Sequence, residues 1–416
     1  MQGKLTVNRN YIDKYIVLLF LLIVQFSAAW VYPPSSFNGV NTLVTEKTLG
    51  VPFQYMLWLA ILIVFLVQFS RGFIQFYVSI LSPYVLFVLV GFISSISGIM
   101  PFDSLKLLSL FVLMLLSGVA CAVAIPVRRL GHIVYYLFAL LVFISVLISL
   151  IYPPVGAQYY GSNLVWRGVF TNKNQFGWFL SISLIIFVVF YKALRPWLSL
   201  GLITLTVVAL VMSGSKGSLV ASVLALFFLY FISILSRYIS SSLFFLVIVC
   251  VVFFAMFFGY FFLTDFLIFI GRDPTLTGRT VVWGMYLNAM LHNPVLGSGP
   301  GSFTSFSEMT LPIAIRLNEL GAIFTPHNAY LGVFGDAGVL GFLAFVGFLF
   351  YFAFFQYFKF RNIYSLACSG LSILFLIDGF VETHEIFSPG LLVFITVLFR
   401  SMAVLSECTK ESTCVQ

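Results

Sequence analysis

Charge is scarce in this chain, so the ionisable side chains that interrupt its apolar stretches carry unusual weight. Five of them are of types that do chemistry together: Arg167, Lys173, Lys216, Arg279 and His327. Fixed cations aimed at developing negative charge are usually the largest single contribution to catalysis of group transfer. An imidazole titrates near neutrality and suits the removal of a proton from an attacking hydroxyl. Four cations and one histidine therefore read as a set that holds an anionic group and activates an acceptor. Metal chemistry has no comparable signal. Cys121, Cys250 and Cys368 lie in apolar runs, Cys408 and Cys414 lie in the tail, and Glu382, His384 and Glu385 lack a convincing ligand spacing. No metal and no cofactor is expected, and His132 and His292 read as bystanders.

The elements that position these residues follow from composition. Of 416 residues, 61% are hydrophobic and 8% charged, with 50 Phe and a mean hydropathy of +1.11. A soluble protein carries about a quarter charged residues, and this chain has too few to cover a water-facing surface. That excludes a soluble enzyme, a disordered chain and a disulfide scaffold. The expectation is an all-α polytopic membrane protein, one integral membrane domain over residues 1–416. A spanning helix needs roughly 20 apolar residues. The clear runs are Tyr15–Tyr32, Leu107–Val127, Ile133–Tyr152, Gly217–Ser236, Tyr238–Thr264, Ala337–Phe358 and Asn362–Ile377. Less clean ones cover Val51–Ser70, Phe73–Ser97, Gln175–Tyr191, Trp197–Met212 and Ile386–Leu405, for about twelve transmembrane helices. The first run has no convincing small-residue cleavage site and reads as a retained helix rather than a signal peptide.

The net charge of +8 is a topology signal before it is a partner signal. With the N-terminus inside, one set of loops collects Lys4, Arg9, Lys14, Arg71, Arg128, Arg129, Lys192, Arg195, Arg237, Lys359, Arg361, Arg400 and Lys410 against Asp13, Glu407 and Glu411. That side has ten positive charges in excess and the other two negative. Both termini are then cytoplasmic, and no nucleic-acid partner is called for.

The outer side holds the polar chemistry. Its loops are Pro153–Asn174, the tight turn Ser213–Gly217, a long segment Thr264–Pro326 and an acidic turn Asp378–Glu385. A connection as long as 264–326 is usually functional. Within it, apolar residues at Val282, Trp283, Tyr286, Leu287, Met290 and Leu291 predict an interfacial helix opened by Arg279, with ends at Gly278 and Asn293-Pro294. The backbone-permissive Gly297-Ser298-Gly299-Pro300-Gly301 follows, and His327-Asn328 opens the next span just before Tyr330. Asp336, about two turns inside that span, is costly there and counts as a functional candidate. Plainer roles stand beside each of these: snorkelling for Arg279, helix capping for His327, loop solvation for Arg167 and Lys173. Interfacial anchoring is the plainer role of Tyr159, Tyr160, Trp166 and Tyr330, whose rings otherwise suit stacking on sugars.

Four pieces in this order resemble the O-antigen ligase and O-antigen or exopolysaccharide polymerase superfamily of bacterial membrane proteins. They are Trp166-Arg167-Gly168-Val169-Phe170 running into Lys173-Asn174-Gln175-Phe176-Gly177, Ser213-Gly214-Ser215-Lys216-Gly217, Gly278-Arg279 with Trp283 and Asn293-Pro294…Gly297-Ser298-Gly299, and His327-Asn328-Ala329-Tyr330 with Gly338. The resemblance covers roughly residues 166–341. It implies a GT-C-like fold in the bacterial inner membrane, with the large periplasmic loop at 264–326 and a smaller one at 153–174. It also implies metal-independent transfer of glycan from an undecaprenyl-pyrophosphate carrier to an acceptor hydroxyl at the periplasmic face. Carried over residue by residue, the catalytic set is His327, Arg279 and Lys216, where the ligases more often have arginine at the last position. Arg167, Lys173, Asn174, Trp283, Asn328 and Tyr330 are the expected substrate contacts. An inverting single displacement follows, with Arg279 and Lys216 on the pyrophosphate and His327 as base. The partners implied are the lipid-linked donor, a glycan or lipid A-core acceptor, membrane lipids, and a chain-length regulator and flippase.

The Trp-Arg-Gly and Lys-Asn piece looks more like the polymerases than the lipid A-core ligases. Outside the enzyme class, a lipid-linked glycan transporter is the main rival, and a scaffold of an export machine the next. A transporter usually places ionisable groups or broken helices near the midplane. Here nearly every ionisable residue falls at a span end, and a scaffold leaves Lys216, Arg279 and His327 unexplained.

Overall fold

A computed structural model describes residues 71–160, 162–192, 195–248, 279–303, 310–319 and 327–414 apart from 381, 383–385 and 388–389, with isolated positions at 56, 59 and 250–261. The expected spans Tyr15–Tyr32 and Val51–Ser70, most of Tyr238–Thr264, residues 264–278, and His384 and Glu385 lie outside the described residues.

The described chain is a bundle of helices, as its composition requires. In order they are α1 (Arg71–Ser97), α2 (Pro101–Ala124) and α3 (Val127–Ile151), a two-stranded hairpin of β1 (Ala157–Tyr160) and β2 (Asn163–Trp166), then α4 (Lys173–Val189), α5 (Pro196–Met212) and α6 (Lys216–Leu235). After them come α7 (Arg279–Met290), α8 (Leu311–Glu319), α9 (Ala329–Phe350), α10 (Ile363–Asp378) and α11 (Leu391–Cys414). Among the described residues, five helical stretches are long and apolar enough to cross a membrane, and α4, α5 and α10 are shorter apolar helices. Their boundaries obey local chemistry. Proline opens α2 and α5, where the missing N–H costs nothing. Asn362 and Ser365 form a capping box on α10. Exposed Val220, Val223, Phe227 and Tyr230 line one face of α6 at helical spacing, the inversion of a soluble surface that lipid permits. Phenylalanine seams fill the interior, with Phe87 stacked on Phe387 at 4.7 Å and Phe138 on Phe179 at 5.2 Å.

Four features differ from the sequence reading. The loop 153–174 contains the antiparallel hairpin, pairing Ala157 with Trp166 and Tyr160 with Asn163, because alternating Gln-Tyr-Tyr and Asn-Leu-Val-Trp favour a short pleated pair over helix. The span expected from Ala337 begins at Ala329 and continues through a π-helical turn, Tyr351–Phe355, to Phe360. Arg400 is not an inner-loop charge. It is 2% exposed, under the rings of Tyr351, Phe352 and Phe360 at 5.1–5.8 Å, which removes one positive charge from the orientation count.

The fourth is a break in α9 at Gly338, whose φ of +64° is open chiefly to glycine. The carbonyls of Gly335 and Asp336 lose their helical partners there. They accept instead from the amides of Ser298 and Gly299 at 2.9 Å each, while the amides of Val339 and Leu340 donate to Pro294 O and Val295 O at 2.9 and 3.3 Å. The loop thus exchanges backbone hydrogen bonds with the broken helix, as a break within a membrane bundle requires. The Asp336 carboxylate completes the lock by accepting from the amides of Gly301 and Phe303 at 2.9 and 2.8 Å. Ser94 donates to Asp336 O and Ser104 to Pro300 O, tying the loop to α1 and α2. The glycine-rich turn and the costly Asp336 are therefore parts of one joint.

Candidate active site

The chain ends of α4, α6, α9 and α10 and the hairpin meet at one end of the bundle, a polar mouth. Asn172 caps α4 by accepting from the amides of Asn174 and Gln175 at 3.0 and 2.9 Å. This fixes the first turn, with Lys173 and Asn174, ahead of the apolar run that begins at Phe176. A seam of small residues draws α4 against α6. A Cβ at Gly177 would stand 2.5 Å from Ser215 Cβ, so only glycine fits. Ser222 donates to Ser181 Oγ at 2.7 Å and Ser181 to Ser218 O at 3.2 Å. Small side chains and crossed hydroxyl bonds are how helices associate closely in lipid.

The seam brings two ammonium groups together. Lys173 Nζ lies 3.5 Å from Gly214 O and 3.3 Å from the centre of the Tyr160 ring, within the field of Lys216. Partial burial, and then the Lys216 charge, hold the Lys173 ammonium below the ordinary lysine range, while Glu382 pulls the other way. Like charges in one field favour an anion that joins them.

His327 enters from α9. It sits at φ +46°, just before Asn328, which caps the helix by accepting from Leu331 N at 3.1 Å. The Ala329 amide donates to Gly379 O and the Tyr330 hydroxyl to Leu376 O, pinning the start of α9 to the end of α10. Glu382 follows that end immediately, its amide donating to Asp378 O at 2.9 Å. Its Oε2 stands 3.9 Å from His327 Nδ1, and its Oε1 accepts from Asn174 Nδ2 at 3.1 Å. Asn174, Glu382 and His327 form one row, with Lys173 and Lys216 beside it.

Of the residues expected from sequence, Lys173, Asn174, Lys216 and His327 converge. Asn328 and Tyr330 lie next to them but are buried, spent on the cap and the tether. Arg167 stands at the hairpin base, its Nε and Nη1 donating to Val155 O and Thr171 O at 2.9 and 3.3 Å. Arg279 opens α7 as expected, and its side chain is outside the described ones; Trp283 is half-buried on the same helix. Helix α7 packs through Val282, Tyr286 and Met290 on Phe303, Ile313, Leu331 and Phe334, a small second core against the first half of α9. The long segment is thereby fastened to the helix that His327 precedes. Glu382 is the residue that sequence reading passed over. The acidic turn was visible, but its partners are 55 and 208 positions away. Among the described residues, no group of three or more His, Cys, Asp or Glu side chains stands where a metal could be held.

The geometry can neutralise an anion with paired cations and hold an imidazole with one nitrogen toward a carboxylate. No curated protein matches the chain. Residues 200–346, which include Lys216, Arg279 and His327, match the family described as O-antigen ligase. The match spans 147 of the 416 residues, and over that stretch the chain is similar to the O-antigen ligase family.

Proposed function

We propose that the chain polymerises O-antigen or exopolysaccharide repeat units, transferring glycan from undecaprenyl pyrophosphate to the hydroxyl of another lipid-linked unit at the periplasmic face of the inner membrane. The observation that carries this reading is the meeting of Lys173 and Lys216 with the His327–Glu382 pair in a single mouth. Lys216, Lys173 and Arg279 bind the pyrophosphate and take up negative charge as it leaves. His327 is the base. With Nδ1 toward Glu382, its Nε2 is left for the acceptor hydroxyl, and the carboxylate stabilises the imidazolium that forms. The acceptor oxygen bonds to the anomeric carbon as the bond to pyrophosphate breaks, the proton passes to His327, and undecaprenyl pyrophosphate departs. Configuration inverts in this single displacement, and no metal is invoked.

Attachment of glycan to lipid A-core is the second reading, favoured by the description of the matched family. The two share a donor and differ in acceptor. Purified protein reconstituted with lipid-linked repeat units and no other acceptor is expected to yield a ladder of longer products. No extension until lipid A-core is added would sink the polymerase and leave the ligase.

A further inference from the structure

The hairpin places two neighbouring tyrosines on opposite faces. Tyr159 pairs with Leu164, both well exposed, on the apolar side expected of an interfacial anchor. Tyr160 shares the other face with Val165, whose Cγ1 would be 3.1 Å from a Cβ at Gly214, in the turn before Lys216. On that face the Tyr160 ring receives Lys173 Nζ at 3.3 Å, and Gly214 O lies 3.5 Å away from the same ammonium.

We infer that Tyr160 is a positioning residue, a clamp that holds Lys173 charged and aimed beside Lys216 so that the two ammonium groups receive the donor's pyrophosphate. The inference rests on the proposed transfer reaction and names the residue that builds its anion site. Lysine is a flexible stem with a point charge, and left alone it would swing away from a like charge. An aromatic face attracts an ammonium through its quadrupole and favours the charged form. The ring therefore acts together with Glu382 against the two influences that discharge Lys173, burial and the Lys216 field. A carboxylate in the same place would cancel the charge meant for phosphate; a ring retains it. The contact of the Tyr160 ring is with the Lys173 ammonium, so on this inference it acts through Lys173.

Reconstituted full-length protein provides the test, with donor KM, kcat and the inhibition constant of undecaprenyl pyrophosphate measured for Tyr160→Phe, Tyr160→Leu and Tyr159→Leu. Phenylalanine keeps the ring, so Tyr160→Phe retains wild-type values. Tyr160→Leu raises donor KM and the product's inhibition constant together by about two- to fivefold, with kcat changed far less, since one cation–π contact at an exposed ring has that worth. Its alkaline loss of donor binding moves to lower pH, because Lys173 gives up its proton more readily. Tyr159→Leu leaves all of these unchanged. The clamp is overturned if Tyr160→Leu binds both compounds normally. It is also overturned if only the KM of the sugar-bearing donor rises, which would make the ring a saccharide platform. Absence of any transfer by the wild-type protein sinks the parent reading instead. Inhibitor binding measured directly then still tests the clamp.

Discussion

Two places in this molecule concentrate polar groups inside an apolar bundle, and they are built on opposite terms. At the α9 break the freed groups are paired off: two helix carbonyls, two helix amides and both oxygens of Asp336 are bonded to the 294–303 loop. In the mouth, Lys173 lies in the field of a like charge, His327 Nδ1 has no hydrogen-bond partner among the described residues, and its carboxylate neighbour stands off at 3.9 Å. Saturation is what a joint needs, since an orphaned buried group costs about 1–3 kcal/mol. Incomplete pairing is what a site needs, since its remaining partners arrive with the substrate. The same test separates the transporter reading. A broken helix is present, but a loop of the chain itself fills the break.

The sharpest way to break this comparison is to strike the joint. A Cβ at position 338 would lie 2.2 Å from Val295 O at a φ of +64°. Gly338→Val is expected to give no monodisperse protein on size exclusion in detergent, and transfer falls to zero because the protein is lost. If it folds and loses only turnover, the break belongs to the chemistry and not to the architecture. His327→Ala should show the reverse: a thermal midpoint within a degree or so of wild type, with turnover reduced by about 10²–10⁴ in a reconstituted assay. Normal turnover removes the base assignment.

Glu382→Gln is a finer cut. It keeps an oxygen for Asn174 and removes the charge that faces Nδ1, and losing such an outer partner of a working histidine costs roughly 10- to 100-fold. The loss is expected in kcat, with donor KM little changed. An equal rise in KM would place Glu382 on the substrate instead.

What could be read in advance follows the range of the interactions. Lys216, Arg279 and His327 stood out because a charge beside a span is rare in this composition, and the helix from Arg279 announced itself by spacing. Asp336 was singled out for its cost as a functional candidate, yet the amides that meet it belong to a loop 33 and 35 residues upstream and make it part of the joint. Sequence spacing shows that a buried carboxylate must be satisfied, but not by whom. Arg400 was misread for the same reason: at the end of an apolar run an arginine looks like a loop charge, and only the three rings around it reveal a buried one. Glu382 was legible as an acidic turn and illegible as the neighbour of His327, because helix packing alone joins the ends of α9 and α10.

The smallest expected effect tests the like-charge pair itself. Lys173 loses its proton below the ordinary lysine range, through burial first and Lys216 next. Donor binding that depends on a charged Lys173 is therefore strongest at low pH and fades as pH rises, earlier than an unperturbed lysine would allow. Lys216→Met removes one cation, which weakens donor binding at neutral pH. It also removes the repulsion, so the proton on Lys173 is held more firmly and the remaining alkaline decline shifts to higher pH. A general weakening of the site predicts lower affinity with an unmoved pH profile. Loss of affinity together with an upward shift is the signature of two ammonium groups held against each other for a shared anion. Two independent surface lysines would produce the first without the second.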